Sequence, residues 1–438
     1  MLFCSMQTQQ LYQLFIASSG VSTDTRTLEK GALFFALKGD NFNGNLFAEK
    51  ALSLGAIAVI VDDSKLKDLR QNIIVVKDTL KTLQELARYH RKQLNTPIIS
   101  ITGSNGKTTT KELIREVLSQ KYKVHATKGN LNNHIGVPLT LLELKKEHEI
   151  AVIEMGANHQ TEIKSLCEIT FPNWGYITNF GKAHLEGFGG EEGVIKGKSE
   201  IYLHLMERQQ KILINGDDTI QKKQTVNYPT SSFGHLKENT FQVNFNENSF
   251  DSLQLTFNKE TFTSPLYGGY NLGNISAAVI FGHIYEVPIK SIQFAIQNYQ
   301  ATNNRSQKIK IKNVTLVMDA YNANPTSMEL AIKTFEKEAT HKSAVILGDM
   351  KELGTSSEKE HQNIIDYCLK SKLEYIHVIG PCFSKIDAEN FRVKKHKNLV
   401  AFKSFINSLS QIDYDKILIK GSRSMKLETM LPLIKSKI

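Results

Sequence analysis

The stretch Ile98-Ile99-Ser100-Ile101-Thr102-Gly103-Ser104-Asn105-Gly106-Lys107-Thr108-Thr109 reads as an apolar strand, a glycine loop and the first turn of a helix. Glycines let backbone N–H groups converge on phosphate oxygens, and the helix N-terminus adds partial positive charge. Lys107 is placed to reach the β- and γ-phosphates of ATP, and the Thr108 hydroxyl to ligate Mg²⁺. Ile101 stands where the longer Gly-x-x-x-x-Gly-Lys-Ser/Thr pattern has its first glycine, so the loop is a shortened variant. Its expected nucleotide contacts are Gly103, Ser104, Asn105, Gly106, Lys107, Thr108 and Thr109. Motors, switches, kinases and ligases all share such a loop, so further residues must decide among them.

Two such residues sit at strand ends, where open α/β sheets bind ligands. Glu154 follows the apolar run 151–153 and is a candidate Mg²⁺ ligand, and His184 lies in the loop after the run 176–178 and is a candidate second ligand. Lys198 falls on a helical pattern. As plain sequence it reads as a solvated lysine, with Lys196 as its neighbour and rival.

These groups need an α/β scaffold. At about 150 residues per domain, 438 residues predict roughly three domains. Apolar runs alternate with helical patterns from residue 32 to 94, and the helix signal ends at Asn95-Thr96-Pro97 before the strand that leads into the glycine loop. A second series follows, with strands at 98–101, 151–153, 176–178 and 212–214. Alternation over 241–245 and 253–257 predicts an antiparallel insert within 224–265. After helical patterns at 275–285 and 289–299, the polar Thr302-Asn303-Asn304-Arg305 reads as a second linker, and a third α/β series has strands at 315–318, 344–347, 375–379 and 416–419. The expected domains are therefore 1–96, 97–302 and 303–438.

Lys+Arg 54 against Asp+Glu 44 gives a net charge of +10, which favours anionic partners. The clusters at 308–312 and 394–397 are short and far apart, unlike a nucleic-acid-binding tail, and read as solvated faces. A P-loop switch or nucleic-acid motor is the rival reading that the charge invites. Four dispersed cysteines, Cys4, Cys167, Cys368 and Cys382, argue against a disulfide framework and a cysteine zinc site. The N-terminal 19 residues read as a structural helix, and no run approaches the ~20 apolar residues of a membrane span. A cytoplasmic protein, not inserted in a membrane and acting as a monomer, is expected.

The motifs together resemble the Mur ligases: the loop 102–109, Glu154-Met155-Gly156-Ala157-Asn158, the segment 181–189, Asp319-Ala320-Tyr321-Asn322-Ala323-Asn324-Pro325, the segment 347–354, and Lys420-Gly421-Ser422-Arg423-Ser424. The resemblance spans almost the whole chain. It implies an α/β, three-domain architecture: a UDP-substrate-binding domain, a central P-loop ATPase domain with a mostly parallel sheet, and a C-terminal Rossmann-like domain for the acceptor. It implies an ATP- and Mg²⁺-dependent ligase acting on UDP-N-acetylmuramoyl-tripeptide and D-alanyl-D-alanine through an acyl phosphate. It also implies that Lys107, Glu154, His184 and Lys198 are catalytic, Lys198 being the lysine that becomes carbamylated and so joins Thr108, Glu154 and His184 around the metal. Asn274, Arg305, Asp319 and Asn322 are implied nucleotide contacts, and Ser22, Thr25, Arg26, Asn132 and Asn133 implied substrate contacts. Asn43, Asn45 and His134 depart from the family pattern, which often has Asp, His and Glu there. Ligases of the family that add a single amino acid, and folylpolyglutamate synthases, share the loop; the Tyr321–Pro325 motif disfavours both.

Overall fold

The computed structural model describes residues 2–66, 71–246, 252–301 and 304–438, with side chains described from residue 8 onward. Thr302 and Asn303 of the expected linker lie outside the described residues. Among the described residues no helix is long and apolar enough to cross a membrane.

In the first unit, strands β1 (Val21–Ser22), β2 (Leu33–Phe35), β5 (Ala58–Val61) and β6 (Ile73–Val75) form a parallel sheet in the order β1-β2-β5-β6. A small antiparallel hairpin, β3 (Lys38–Gly39) and β4 (Phe42–Asn43), rises from the loop between β2 and β5. The helix Thr79–Lys92 starts where the Asp78 side chain accepts the Lys81 N–H at 2.9 Å, and it buries Leu83, Leu86 and Ala87. At its end the buried Arg91 donates to the carbonyls of Thr170 and Leu94, at 2.9 and 2.8 Å. That guanidinium ties the first unit to the second, because a buried charged donor must find acceptors. Asn43 and Asn45 are structural in this hairpin: Asn45 donates to the Asn43 and Asp62 side chains and accepts the Asp62 N–H.

The second unit is a nine-stranded sheet built from β7 (Ile98–Thr102), β8 (Val124–Ala126), β9 (Ile150–Glu154), β10 (Trp174–Ile177), β11 (Lys211–Asn215), β12 (Ser231–Gly234), β13 (Phe241–Asn246), β14 (Leu253–Phe257) and β15 (Glu260–Ser264), in the order β15-β14-β13-β12-β11-β10-β7-β9-β8. Strands β7, β9 and β10, central and fully buried, are predominantly apolar, as parallel strands covered on both faces are. In the segment 224–265 the two alternating runs, 241–245 and 253–257, pair antiparallel as expected, but the segment is not a separate insert. β12 joins β11 in parallel and β13 joins β12 in parallel, so the segment extends the main sheet, and only β13-β14-β15 form an antiparallel meander at its edge. The short strand β8, with just three residues, gave too little pattern to be read in advance.

The third unit carries β16 (Gln307–Ile311), β17 (Val314–Asp319), β18 (Ser343–Gly348), β19 (Tyr375–Ile379), β20 (Val393–His396) and β21 (Lys416–Lys420), in the order β16-β17-β21-β18-β19-β20. All pairs are parallel except β16 with β17. The two basic clusters expected to be solvated faces are its two edge strands, where lysines discourage pairing with another chain.

Inside this unit His377 and His396 stack with ring centroids 5.4 Å apart, and His377 Nε2 meets the Tyr414 hydroxyl at 2.9 Å. Burial first, then the His396 and Lys394 charges, push the His377 pKa down to about 3. An unfolded histidine takes its proton near pH 6.5, so the unfolded chain binds more protons between those values. This contribution to stability is complete above about pH 6.5 and is lost as pH falls toward 3, at up to about 1.4 kcal/mol per pH unit. Denaturant unfolding from pH 7 to pH 5 will show that loss, and His377→Phe, though less stable at pH 7, will show a shallower slope. Parallel pH dependences for the two proteins would refute the assignment.

Candidate active site

The glycine loop lies between β7 and the helix Lys107–Leu118, and its shape is fixed from outside. Ser104 N–H donates to the Asn179 carbonyl at 3.0 Å, and Asn105 N–H to the Asn179 side chain at 3.1 Å. Thr178 and Asn179 side chains donate back to the Asn105 carbonyl, and the Ser104 hydroxyl donates to the Gly181 carbonyl at 2.7 Å. Gly103 has φ +135°, and a Cβ there would fall 2.0 Å from Thr178 Oγ1, so the close approach of β10's end to the loop requires glycine. Gly106 precedes the helix with φ +82°, and a Cβ there would meet Asn274 Oδ1 at 2.6 Å.

The loop opens on a cavity of about 1170 Å³, lined by residues from all three units. Lys107 Nζ donates to the Gly103 and Ser104 carbonyls at 2.7 and 3.2 Å, folded back over the loop that it would leave to meet a phosphate. Its burial lowers its pKa, which Glu154 opposes and Arg305 reinforces. Glu154 is only 1% exposed. Its Oε1 accepts from Asn132 Nδ2 at 2.7 Å and from the Thr108 hydroxyl at 3.2 Å, and its N–H donates to Thr127 Oγ1. Its Oε2 is buried without a partner. A buried carboxylate oxygen with no donor, beside a threonine hydroxyl, fits a hard divalent cation, so the donor set suits Mg²⁺.

His184, with φ +53°, lines the same cavity, and its Nδ1 lies 2.5 Å from Glu352 Oε2 of the third unit. That contact holds the Glu352 pKa below the usual carboxylate range. Lys198 stands behind the wall rather than in it. It is fully buried, donates from Nζ to the Ala157 carbonyl at 3.0 Å, and lies 4.9 Å from the centre of the Phe188 ring. Burial, with the Lys107 charge second, drives its pKa well below that of an ordinary lysine. Lys196 is exposed on the same helix.

Asn274 is buried beneath the loop: Thr110 donates to its Oδ1 at 2.9 Å, and its Nδ2 donates to Asn271. From the third unit, the Arg305 guanidinium lies 3.6 Å above the Tyr321 ring, with Nε buried and unpartnered. Asp319 pairs with Lys420 at 2.5 Å and accepts the Ser306 N–H. Asn322 is exposed toward the cavity. Thr109 lines it without a side-chain bond among those described. Asn133 caps the turn at Ile135 and Gly136, while His134 meets the first unit through its carbonyl, which accepts from Gln84 at 2.9 Å.

The residues expected to bind substrate in the first unit lie elsewhere. Ser22 lines a second cleft of about 930 Å³ between the first and second units, which also presents Lys128, Lys145, Lys146, His125 and His148. Thr25 and Arg26 line neither cleft; Arg26 is exposed and paired with Asp24 at 2.5 Å. Asp349, in the 347–354 motif, is structural: it accepts the N–H groups of Cys382 and Phe383 at a helix start, beside His361, whose ring nitrogens are used by Met350 N–H and the Ser357 carbonyl.

The chain matches three family models: "Mur ligase family, catalytic domain" over residues 18–91, "Mur ligase middle domain" over 101–282, and "Mur ligase, glutamate ligase domain" over 304–423. It is 35% identical to a UDP-N-acetylmuramoyl-tripeptide–D-alanyl-D-alanine ligase of Bacillus subtilis, covering 94% of this chain and 92% of that one. The Escherichia coli ligase of the same name is 33% identical, with 95% and 93% covered. Among solved structures, MurF from Acinetobacter baumannii superposes with a TM-score of 0.87 at 32% identity over 98% of both chains. MurF from Thermotoga maritima in complex with ADP does so at 0.84 and 26%, covering 97% and 98%.

Replacing Glu154 by Gln keeps its shape and removes its charge. Calorimetric titration with ADP will show affinity in Mg²⁺ reduced by about tenfold, or ~1.4 kcal/mol, and unchanged affinity in EDTA. Equal losses in both buffers would assign Glu154 to folding of the loop and not to the cation.

Proposed function

The chain belongs to the Mur ligase family, and from that membership we propose that it joins D-alanyl-D-alanine to UDP-N-acetylmuramoyl-tripeptide, with cleavage of ATP, to give the UDP-MurNAc-pentapeptide precursor of peptidoglycan. The observation that carries this reading is the end-to-end likeness to enzymes of that name, joined to a phosphate loop that faces the Tyr321–Pro325 segment across one cavity. In this reading residues 1–96 hold the UDP moiety, 97–302 hold ATP, and 303–438 bring the dipeptide. The second cleft, at the junction of the first and second units, presents Lys145 and Lys146, whereas its Lys128 is paired with Glu143 at 2.7 Å. Such chemistry, fed by ATP and a UDP-linked substrate, belongs to the cytoplasm, and a single chain supplies every group assigned here.

The tripeptide's terminal carboxylate attacks the γ-phosphorus of ATP in line; a carboxyl O–P bond forms and the bond to ADP breaks, leaving an acyl phosphate. Lys107 leaves its two carbonyl partners to meet the phosphoryl oxygens, and the loop N–H groups of 106–108, unlike those of Ser104 and Asn105, which Asn179 holds, orient them. The Nδ2 of Asn105, within the loop itself, is buried and unpartnered. Thr108, Glu154 and His184 are proposed to hold Mg²⁺, which when bound neutralises charge on the phosphates. The dipeptide amine then attacks the acyl carbon, the tetrahedral intermediate expels phosphate, and the surplus proton leaves to water. A free α-amino group, pKa ~7.7 to 8.0, is partly neutral at pH 7, so positioning suffices without a dedicated base.

Lys198 is proposed as the carbamylated residue. The reaction needs a neutral amine: nitrogen adds to CO₂, a N–C bond forms and a proton departs. Burial supplies the neutral form at ordinary pH. The product is an anion where the lysine was a cation, able to orient the metal's ligand set.

ADP release by the purified chain will require ATP, Mg²⁺, the UDP-linked tripeptide and D-Ala-D-Ala together, and single amino acids in place of the dipeptide will not support it. ADP formation with a single amino acid would move the chain to another branch of the family, and none with the full set would refute the reading. Lys198→Ala will lower kcat on the order of 10²-fold, and intact-mass spectra under bicarbonate will lose the CO₂ adduct of the wild type; an unchanged kcat would remove Lys198 from the mechanism.

A further inference from the structure

One loop, residues 178–186, meets two partners at once. Its near half clasps the phosphate loop, through Thr178, Asn179 and Gly181. Its far half meets the third unit: Lys182 N–H donates to Thr326 Oγ1 at 2.9 Å, Lys182 Nζ pairs with Glu360 Oε1 at 2.9 Å, and Glu186 N–H reaches the Glu352 carbonyl. The phosphate loop adds its own crossing, where Asn324 Nδ2 donates to Asn105 Oδ1 at 2.7 Å. Most of the Glu360 side chain is buried, so its charge depends on a partner, and Lys182 is only a third exposed. Glu191, from the second unit, faces the same ammonium at 3.5 Å. The two carboxylates hold the Lys182 pKa above its ordinary value, Glu360 most strongly.

We propose that Lys182 is a positioning residue for ligation: its pair with Glu360 seats the acceptor-bearing third unit in register over the phosphate loop, so that nucleotide contacts and unit docking are held by one loop. Lys182 touches neither ATP nor the reacting carboxylate in this role. It acts through the backbone it shares with Gly181 and His184 and through the helix Ser357–Lys370 that carries Glu360. The inference rests on the ligase reading for its kinetic consequence, whereas the docking contact itself is independent of which acceptor is used.

The test is a charge exchange in the full-length chain: Lys182→Glu, Glu360→Lys, and the two combined. Three measurements are made on each: ADP release at varied D-Ala-D-Ala, binding of a non-hydrolysable ATP analogue with Mg²⁺, and small-angle X-ray scattering with that analogue bound. Each single variant is expected to lower kcat/KM for the dipeptide by about tenfold, to bind the analogue within about twofold of wild type, and to show a larger radius of gyration. The combined variant, which restores the pair with opposite polarity, is expected to recover both turnover and compactness. A combined variant no better than the worse single, or singles with wild-type turnover and scattering, overturns the proposal. If charge reversal prevents folding, Lys182→Met, of similar length and uncharged, replaces it, with wild-type scattering as the overturning result. A wild type that releases no ADP would refute the ligase reading alone, because scattering and analogue binding still decide the docking role.

Discussion

The rest of the site depends on the clasp between Ser104-Asn105 and Thr178-Asn179. A phosphate-binding loop must aim several backbone N–H groups into a cavity and so cannot satisfy them internally. It needs its shape imposed by neighbours whose own positions are fixed. Strand β10, buried on both faces between β7 and β11, provides such a neighbour, and the polar residues that follow it close on the loop from one side. Asn274 and Thr110 close on it from below. The same scaffold sets Glu154, because β9 is the other neighbour of β7 and its last residue comes level with Ile101.

Much of this was legible in the chain. The Gly-Ser-Asn-Gly-Lys-Thr stretch carries its own geometry, since glycine at 103 and 106 answers a positive φ and a near contact. Glu154 was found because a carboxylate at the end of an apolar strand has few structural reasons to be there. What was not legible depends on long-range pairing. That Asn132, expected among the substrate contacts, also donates to Glu154 follows from no local pattern. Nothing local to Asn179 says that its amide serves a loop some 74 positions away. The same holds for Lys182 and Glu360, two charges on surface patterns that meet only after the third unit docks. The parallel attachment of β12 and β13 was hidden for a related reason: alternation reports a half-exposed strand but not the direction of its neighbour.

Lys198 shows how burial becomes chemistry. A solvated lysine would stay protonated and inert toward CO₂, and helical patterning could not distinguish it from Lys196, two positions earlier. The fold separates them by facing one inward against Phe188 and the Ala157 carbonyl and the other to water. The cost of holding a cation there is relieved by losing its proton, and the neutral amine that results is the reactive form. A carboxylate-like product would be as buried as the lysine, so it too needs positive partners; Lys107 is one such charge close enough to act on this position.

Water sets the final constraint. An acyl phosphate formed in an open cleft would be hydrolysed, so the acceptor amine must be in place when it forms and the space around it closed. An architecture in which the third unit touches the phosphate loop itself meets that requirement. Asn324 caps the helix Pro325–Glu338 with one end of its amide and reaches Asn105 with the other, so the helix that follows the Tyr321–Pro325 motif starts at the nucleotide's own cradle. Arg305, stacked on Tyr321, belongs to the segment that joins the two units, and its stacking face and the cavity are reached together. Lys107, Lys182, Arg305 and Lys420 all line one cavity. Glu360 and Asp319 answer Lys182 and Lys420 from within the protein, which leaves Lys107 and Arg305 to meet a triphosphate. Acidic groups, Glu154, Glu162, Glu191, Asp218 and Asp319, line the same cavity, so its formal charge carries no cationic excess, and what matters is which cations are left without an internal partner.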